Sequence, residues 1–322
     1  MSLTRRQFAG TLAAGLTLGR SGPARAGRTV KLSYQRSSTL LTVLKARGIL
    51  EERLGRQGFG VSWHLFTKVL EPMNTGAVDL HADVADAVPV FTQSAGAALT
   101  FYAMEGASPR AEAIIVPDES PIRTVADLKG RTVGVSKGSG CHFILAGALK
   151  RAGLRFSDIR PAYLEAADGL AAFEQGGIEA WSIWDPFLAI VQAKRPIRVL
   201  ADATGLSSYN RYYTVNDSFA AEQPEVVATV FAALVEAGLW VKKNPKEAAA
   251  LLAPIWGDLP PEVVSTVNER RSYAVRAVDR AALSDQQAIA DTFHEAGLIP
   301  RRLDATAVRI WQPSAGQGTG RG

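Results

Sequence analysis

Four short runs hold the side chains that could do chemistry. In Arg36-Ser37-Ser38-Thr39 and in Lys137-Gly138-Ser139-Gly140, hydroxyl groups stand directly before a stretch of helical periodicity. A helix N-terminus offers N–H groups without acceptors and the positive end of the peptide dipole, so each turn can hold an oxyanion. Ser and Thr at the same place also cap helices with no ligand involved, and for these two turns both readings stay open. In Trp181-Ser182-Ile183-Trp184-Asp185-Pro186, strand alternation sets Trp181 and Ile183 on one face. Trp184 then stands near the strand end, where its indole can wall an apolar pocket. Asp185 can cap the helix that begins at Pro186; the alternative is a core tryptophan beside an ordinary cap. Asp83 and Asp86 lie near the start of a further helix, one as a cap and the other toward a cleft. A catalytic pair of carboxylates is the weaker reading of these two. Cys141-His142 invites a nucleophile and base, yet adjacent helical residues point about 100° apart and rarely touch. A small buried cysteine beside a histidine is the simpler account.

Positioning these runs calls for alternating strands and helices. Val30 to Gln35 and Val61 to Phe66 read as strands around one helix over Leu40 to Leu54. A short strand over Val78 to His81 precedes a helix near Ala85 to Ala95, then strands at Leu99 to Met104 and Ala113 to Val116. The scheme repeats: strands at Arg131 to Ser136, Ala162 to Leu164, Glu179 to Trp184 and Ile197 to Asp202 alternate with helices over Cys141 to Ala152, Ala166 to Gln175 and Pro186 to Ala193. After Tyr212 to Val215 the pattern turns helical over Pro224 to Lys243, Pro245 to Trp256, Pro260 to Arg271 and Asp285 to Gly297, several opening on proline in the first turn. Strands separated by helices of this size predict βαβ units and an α/β fold in two lobes. The boundaries expected are 27–112 for the first part of lobe 1, 113–208 for lobe 2 and 209–313 for the helical return to lobe 1, with 314–322 a glycine-rich disordered tail. Such a clamp binds in its cleft and closes by a hinge.

Composition narrows the function classes. The 322 residues carry 36 Lys+Arg against 31 Asp+Glu. Thr4-Arg5-Arg6-Gln7-Phe8, an apolar stretch from Ala9 to Leu18 and Ala24-Arg25-Ala26 have the layout of an export signal cleaved after Ala26, and the arginine pair points to the twin-arginine route. Its removal takes away four arginines and leaves 32 against 31, so the basic balance is no argument for nucleic acid. The expected location is the periplasm. No later segment is read as membrane-spanning. One cysteine excludes an internal disulfide. His64, His81 and His294 lack metal-ligand spacing, and no phosphate loop follows a strand. No cofactor, metal or nucleic acid is called for.

In order, five segments resemble one family. They are Tyr34 to Leu41, Ala111 to Gly130, Lys137 to Phe143, Ala180 to Phe187 and Phe293 to Pro300. Together they resemble the aliphatic sulfonate-binding proteins of ABC importers, within the nitrate, sulfonate and taurine group. The resemblance implies a bilobal type II periplasmic-binding fold and no catalysis. It further implies a monomer that hands a small anionic organosulfonate to a membrane permease and its ATPase. By motif it points to Ser38, Thr39, Ser139, His142 and Trp184, with Gln35 and Asp185 in support. With Ser37, Leu40 and Gly140 from the same segments, and Asp86 from a first-lobe run, these make the candidate ligand set. Two places depart from the family pattern. Phe66 to Glu71 lacks a Gly-Pro-Gln turn, and Val84-Ala85-Asp86-Ala87-Val88-Pro89 stands where a Thr-Gly-Asp-Ala-Pro run is usual. These changes imply a different or larger sulfonate, or another anion such as taurine, nitrate or a carboxylate, in a cleft that the shortened turn would widen. A same-fold desulfinase using Cys141 and His142 is the rival from another class.

Overall fold

The computed structural model describes residues 28–313, Arg36, Thr67 and Lys68 excepted. The expected export signal and glycine-rich tail lie outside the described residues.

The first sheet starts with β1 (Thr29–Tyr34), followed by α1 (Thr39–Ala46), α2 (Ile49–Arg56) and β2 (Gly60–Leu65), then α3 (Leu70–Thr75), β3 (Val84–Ala85), α4 (Val88–Ser94) and β4 (Leu99–Glu105). The chain then crosses into β5 (Glu112–Pro117), β6 (Thr132–Val135), α5 (Gly140–Arg151), β7 (Arg160–Tyr163), α6 (Ala166–Glu174), β8 (Ala180–Trp184), α7 (Phe187–Lys194) and β9 (Ile197–Asp202). It returns through β10 (Arg211–Asn216), α8 (Asp217–Glu222), α9 (Pro224–Lys243), α10 (Pro245–Ile255), α11 (Pro261–Arg270), β11 (Val275–Arg276), α12 (Ser284–Glu295) and β12 (Arg309–Ile310).

The second sheet has the order β7-β6-β8-β5-β9, with β6 parallel to β7 and β8, and β5 antiparallel to both its neighbours. In the first, β1 and β2 run parallel, and two isolated bridges at Leu80, to Leu32 and to Val215, join β1 to β10. The strand expected over Val78 to His81 is reduced to that one residue. The returning strand β10 lies antiparallel between β3 and β4, so the first lobe is built from both ends of the chain. The crossings fall between Glu105 and Glu112 and between Asp202 and Arg211.

Three local readings change. The helix expected over Leu40 to Leu54 is two, because Gly48 adopts φ 63° and opens a new axis at Ile49. The segment Pro224–Lys243 is long and apolar enough to cross a bilayer, against the expectation of none. Here it is a core helix: Val226, Val227, Val230, Leu234 and Val241 pack on α1 and α10 in the main apolar cluster. The return does not stay with the first lobe. Ile289, Ala290 and Phe293 of α12 join the core of the second sheet with Val133, Ile144 and Leu145.

Candidate ligand-binding site

Parallel strands ending in helix N-termini set the geometry. A cavity of about 480 Å³ lies between the lobes. Gln35, Ser37, Val69, Leu70, Glu71, Ala85 and Val88 line it from one side, and Glu112, Ser136 to Gly140, Glu165 and Trp184 from the other. Tyr209 and Arg211, at the second crossing, complete it.

Each lobe presents one helix start. Ser139 caps α5: its Oγ accepts from the His142 N–H at 3.2 Å and donates to the Ser136 carbonyl at 2.7 Å. The first-turn N–H groups of Gly140 and Cys141 have no acceptor among the described residues. Ser38 stands at the cap of α1, but its hydroxyl accepts from the Gln35 N–H at 3.2 Å rather than from the helix.

Arg211 decides the chemistry. It is 2% exposed and ion-paired to Asp83 through Nε. Its Nη2 donates to the Asp83 carbonyl at 2.9 Å and to Ser37 Oγ at 3.4 Å, and its Nη1 to the Tyr209 hydroxyl at 3.3 Å. A guanidinium has five N–H donors, so one on Nη1 remains. Because Ser37 and Tyr209 accept from Arg211, their own O–H groups are free to donate. Deeper still, Arg271 pairs with Glu105, which also accepts from the Tyr213 hydroxyl at 2.6 Å. Two arginines thus face two acids, and burial of each charge is compensated.

The expected set divides. Gln35, Ser37, Ser139, Gly140 and Trp184 line the cavity. Ser38, Thr39, Leu40, Asp86, His142 and Asp185 do not. Thr39 accepts from the Tyr273 hydroxyl at 3.0 Å. The Leu40 side chain is core, though its first-turn N–H lacks an acceptor among the described residues. Asp86 accepts from Ser207 and is held near pKa 6 by burial. Neither Asp83 nor Asp86 caps α4, whose cap is Ala87. The cap of α7 is Pro186; Asp185, one residue before it, accepts from the first-turn Ala189 N–H at 3.1 Å and pairs with Arg270 of α11 at 3.0 Å. That pair ties the second sheet to the returning helices.

His142 packs beside Phe156, Tyr163 and Phe293 and accepts from the Gly138 N–H at 3.1 Å through Nδ1. Burial, with Lys137 nearby, lowers its pKa to about 4. The unfolded chain therefore protonates first as pH falls. The neutral imidazole's contribution is complete above about pH 6.5 and is lost toward pH 4, by at most about 1.4 kcal/mol per pH unit. Denaturant titrations of wild type and His142→Asn between pH 4 and 7 should show a difference in stability that shrinks on acidification. A constant difference would mean that His142 ionises freely in the folded protein.

Cys141 is buried, and its thiol donates to Glu112 Oε2 at 3.4 Å. Burial and the neighbouring carboxylates push its pKa well up, the reverse of what a nucleophilic thiolate needs. Within the departing run, Val69, Leu70 and Glu71, at the start of α3, stand on the cavity wall.

Spacing alone passed over Arg211, Tyr209, Glu112, Lys137 and Glu165 as lining residues. The available signal was Arg211 itself, a charge opening the strand Arg-Tyr-Tyr-Thr-Val, which a core admits only with a partner.

Residues 67–248 match the family model described as NMT1/THI5 like. The chain is 36% identical over 292 residues to an aliphatic sulfonates-binding protein of Escherichia coli K12, covering 90% of each. Among solved structures it matches the E. coli periplasmic aliphatic sulphonate binding protein SsuA with TM-score 0.82 at 36% identity, covering 89% and 93% of the two chains. It also matches the alkanesulfonate-binding protein SsuA of Xanthomonas axonopodis pv. citri bound to MOPS, with TM-score 0.79 at 33% identity, covering 85% and 95%. These relatives are binding proteins, with the same bilobal α/β fold as this chain. The chain belongs to the NMT1/THI5-like family and, within it, stands with the aliphatic sulfonate-binding proteins.

Proposed function

We propose that this chain is the periplasmic binding component of an ABC importer for aliphatic sulfonates. One observation carries the reading. The cavity gathers donors without acceptors: the remaining Arg211 N–H, the Ser37 and Tyr209 hydroxyls, and the Gly140 N–H. A sulfonate has three oxygens, no proton to give, and accepts from all of these. Val69, Leu70, Ala85, Val88 and Trp184 give an apolar wall for the alkyl chain. Each buried CH₂ should add about 0.8 kcal/mol, or roughly fourfold in affinity. The 36% identity over nine-tenths of both chains supports the same reading. The protein would work as a monomer, delivering its ligand to a membrane permease driven by an ATPase. Arg5-Arg6 and Ala24-Arg25-Ala26 fit export by the twin-arginine route with cleavage after Ala26.

Isothermal calorimetry and thermal melting with C1–C8 alkanesulfonates, taurine, sulfate and nitrate test it. Alkanesulfonates should bind with affinity rising along the chain until the wall is covered. At a hundred times the dissociation constant the fold should gain about 2.7 kcal/mol. No response to any sulfonate would refute the reading, and a response to nitrate or taurine alone would reassign the ligand.

A further inference from the structure

We propose that the carboxyl group of Glu112 is protonated in the ligand-bound protein and donates its O–H to the ligand's anionic head. The inference rests on the sulfonate reading of the cleft. Glu112 opens β5, is 0% exposed, and lines the cavity. Its Oε2 accepts from the Cys141 thiol, while Oε1 has no hydrogen-bond partner among the described residues. A buried carboxyl oxygen left unpaired is costly unless something else completes it.

Position identifies what completes it. A Cβ added at Gly140 would stand 2.8 Å from Glu112 Oε2, so the carboxyl is pressed against the first turn of α5. That is where an anion in the cavity meets the Gly140 N–H at the helix start. The charged and titratable groups acting on Glu112 are Asp86 after β3, Cys141 on α5, Arg211 on β10, and Tyr209 at the second crossing. Arg211 is already matched to Asp83, and no other cation among the described residues acts on Glu112; Lys137, on the same cavity wall, stands over the Tyr163 ring. The start of α5 favours a carboxylate in the empty cleft, but a bound anion claims that N–H. Two carboxylates and a sulfonate cannot all remain ionised in one buried space, and the sulfonate cannot take up the proton. Burial and Asp86 both push Glu112 toward its neutral form. A neutral carboxyl supplies a donor where a carboxylate would repel.

Infrared difference spectra of wild type and Glu112→Gln, with and without propanesulfonate, give a direct readout. The bound wild type should show a carboxylic acid C=O band that appears on ligand addition and is missing from E112Q. The amide keeps a donor without charge, so E112Q should bind propanesulfonate within about threefold of wild type, whereas Glu112→Ala should lose about tenfold or more. A carboxylate band in the bound wild type overturns the proposal whether or not the variants fold. So does E112Q binding propanesulfonate more than tenfold tighter, because that reveals relieved repulsion. Loss in E112Q of taurine binding alone also overturns it, since Glu112 would then pair with the ammonium. If wild type binds no alkanesulfonate from C1 to C8, the sulfonate reading fails and the inference fails with it. Binding without an acid band defeats the inference alone.

Discussion

Replacing Arg211 with methionine is expected to weaken alkanesulfonate binding about a hundredfold and to destabilise the fold by about 3 kcal/mol. The two losses have different origins. Affinity falls because the one uncommitted guanidinium N–H disappears and because the Ser37 and Tyr209 hydroxyls lose the donor that fixes them as donors. A charge-assisted hydrogen bond contributes about 1.5–3 kcal/mol, so loss of one with some of its neighbours reaches that range. Stability falls because Asp83, 0% exposed, keeps its charge without its main partner. Breaking a buried pair typically costs about 3–5 kcal/mol. The low end applies because Arg271 Nη2 stands 3.9 Å from Asp83 Oδ2 and can take over part of the role. The double variant Arg211→Met with Asp83→Asn removes both charges and separates the effects. Chemical denaturation should show stability largely recovered in the double variant, while calorimetry shows affinity still lost. Recovery of both would mean that Arg211 only holds the scaffold.

Gly138→Ala should weaken ligand binding about tenfold, in addition to a stability cost of about 1–2 kcal/mol. Gly138 has φ 76°, a left-handed conformation that costs an L-residue about 1–2 kcal/mol whether or not ligand is present. The affinity effect comes from the contact across the cleft. A Cβ on Gly138 would sit 2.8 Å from the ring of Phe91, which is backed by Phe293 at 5.2 Å between centroids. Overpacking of this kind costs about 1–3 kcal/mol, and the low end corresponds to about tenfold in binding. If closure brings this turn against Phe91, the clash acts on the bound form. Calorimetry and melting curves of G138A, and of G138A with Phe91→Leu, resolve it. The second change should restore affinity but not the backbone cost. Wild-type affinity in G138A alone would show that the contact plays no part in binding.

The comparison of sequence and structure turns on particular residues. Periodicity located nearly all long elements, because each helix and strand buries a face whose repeat is written locally. Pro224 to Lys243 was bounded to the residue by proline at its start and the lysines at its end. It misled at Gly48, because one left-handed glycine breaks a helix without changing the apolar pattern on either side. It misled again at Val78 to His81, where pairing is confined to the two isolated bridges of Leu80.

At the site, the sequence by itself determined which turns precede helices, and so Ser37, Ser139 and Gly140, the last with an open N–H. It determined the indole of Trp184 at a strand end. Segment resemblance supplied the family. Tertiary structure alone decided the rest. Arg211 and Tyr209 enter the cavity because β10 returns some 130 residues after Leu80 to pair beside it. Glu112 does so because β5 starts its register opposite Trp184, the last residue of β8. His142 and Asp185 carry binding motifs in sequence yet turn into packing and an ion pair, since a helix sends successive side chains to different faces. Local spacing is set by bonds between neighbours and is legible in the chain. Which charge meets which partner in a cleft is set by contacts between residues far apart in sequence, and only the folded molecule fixes those.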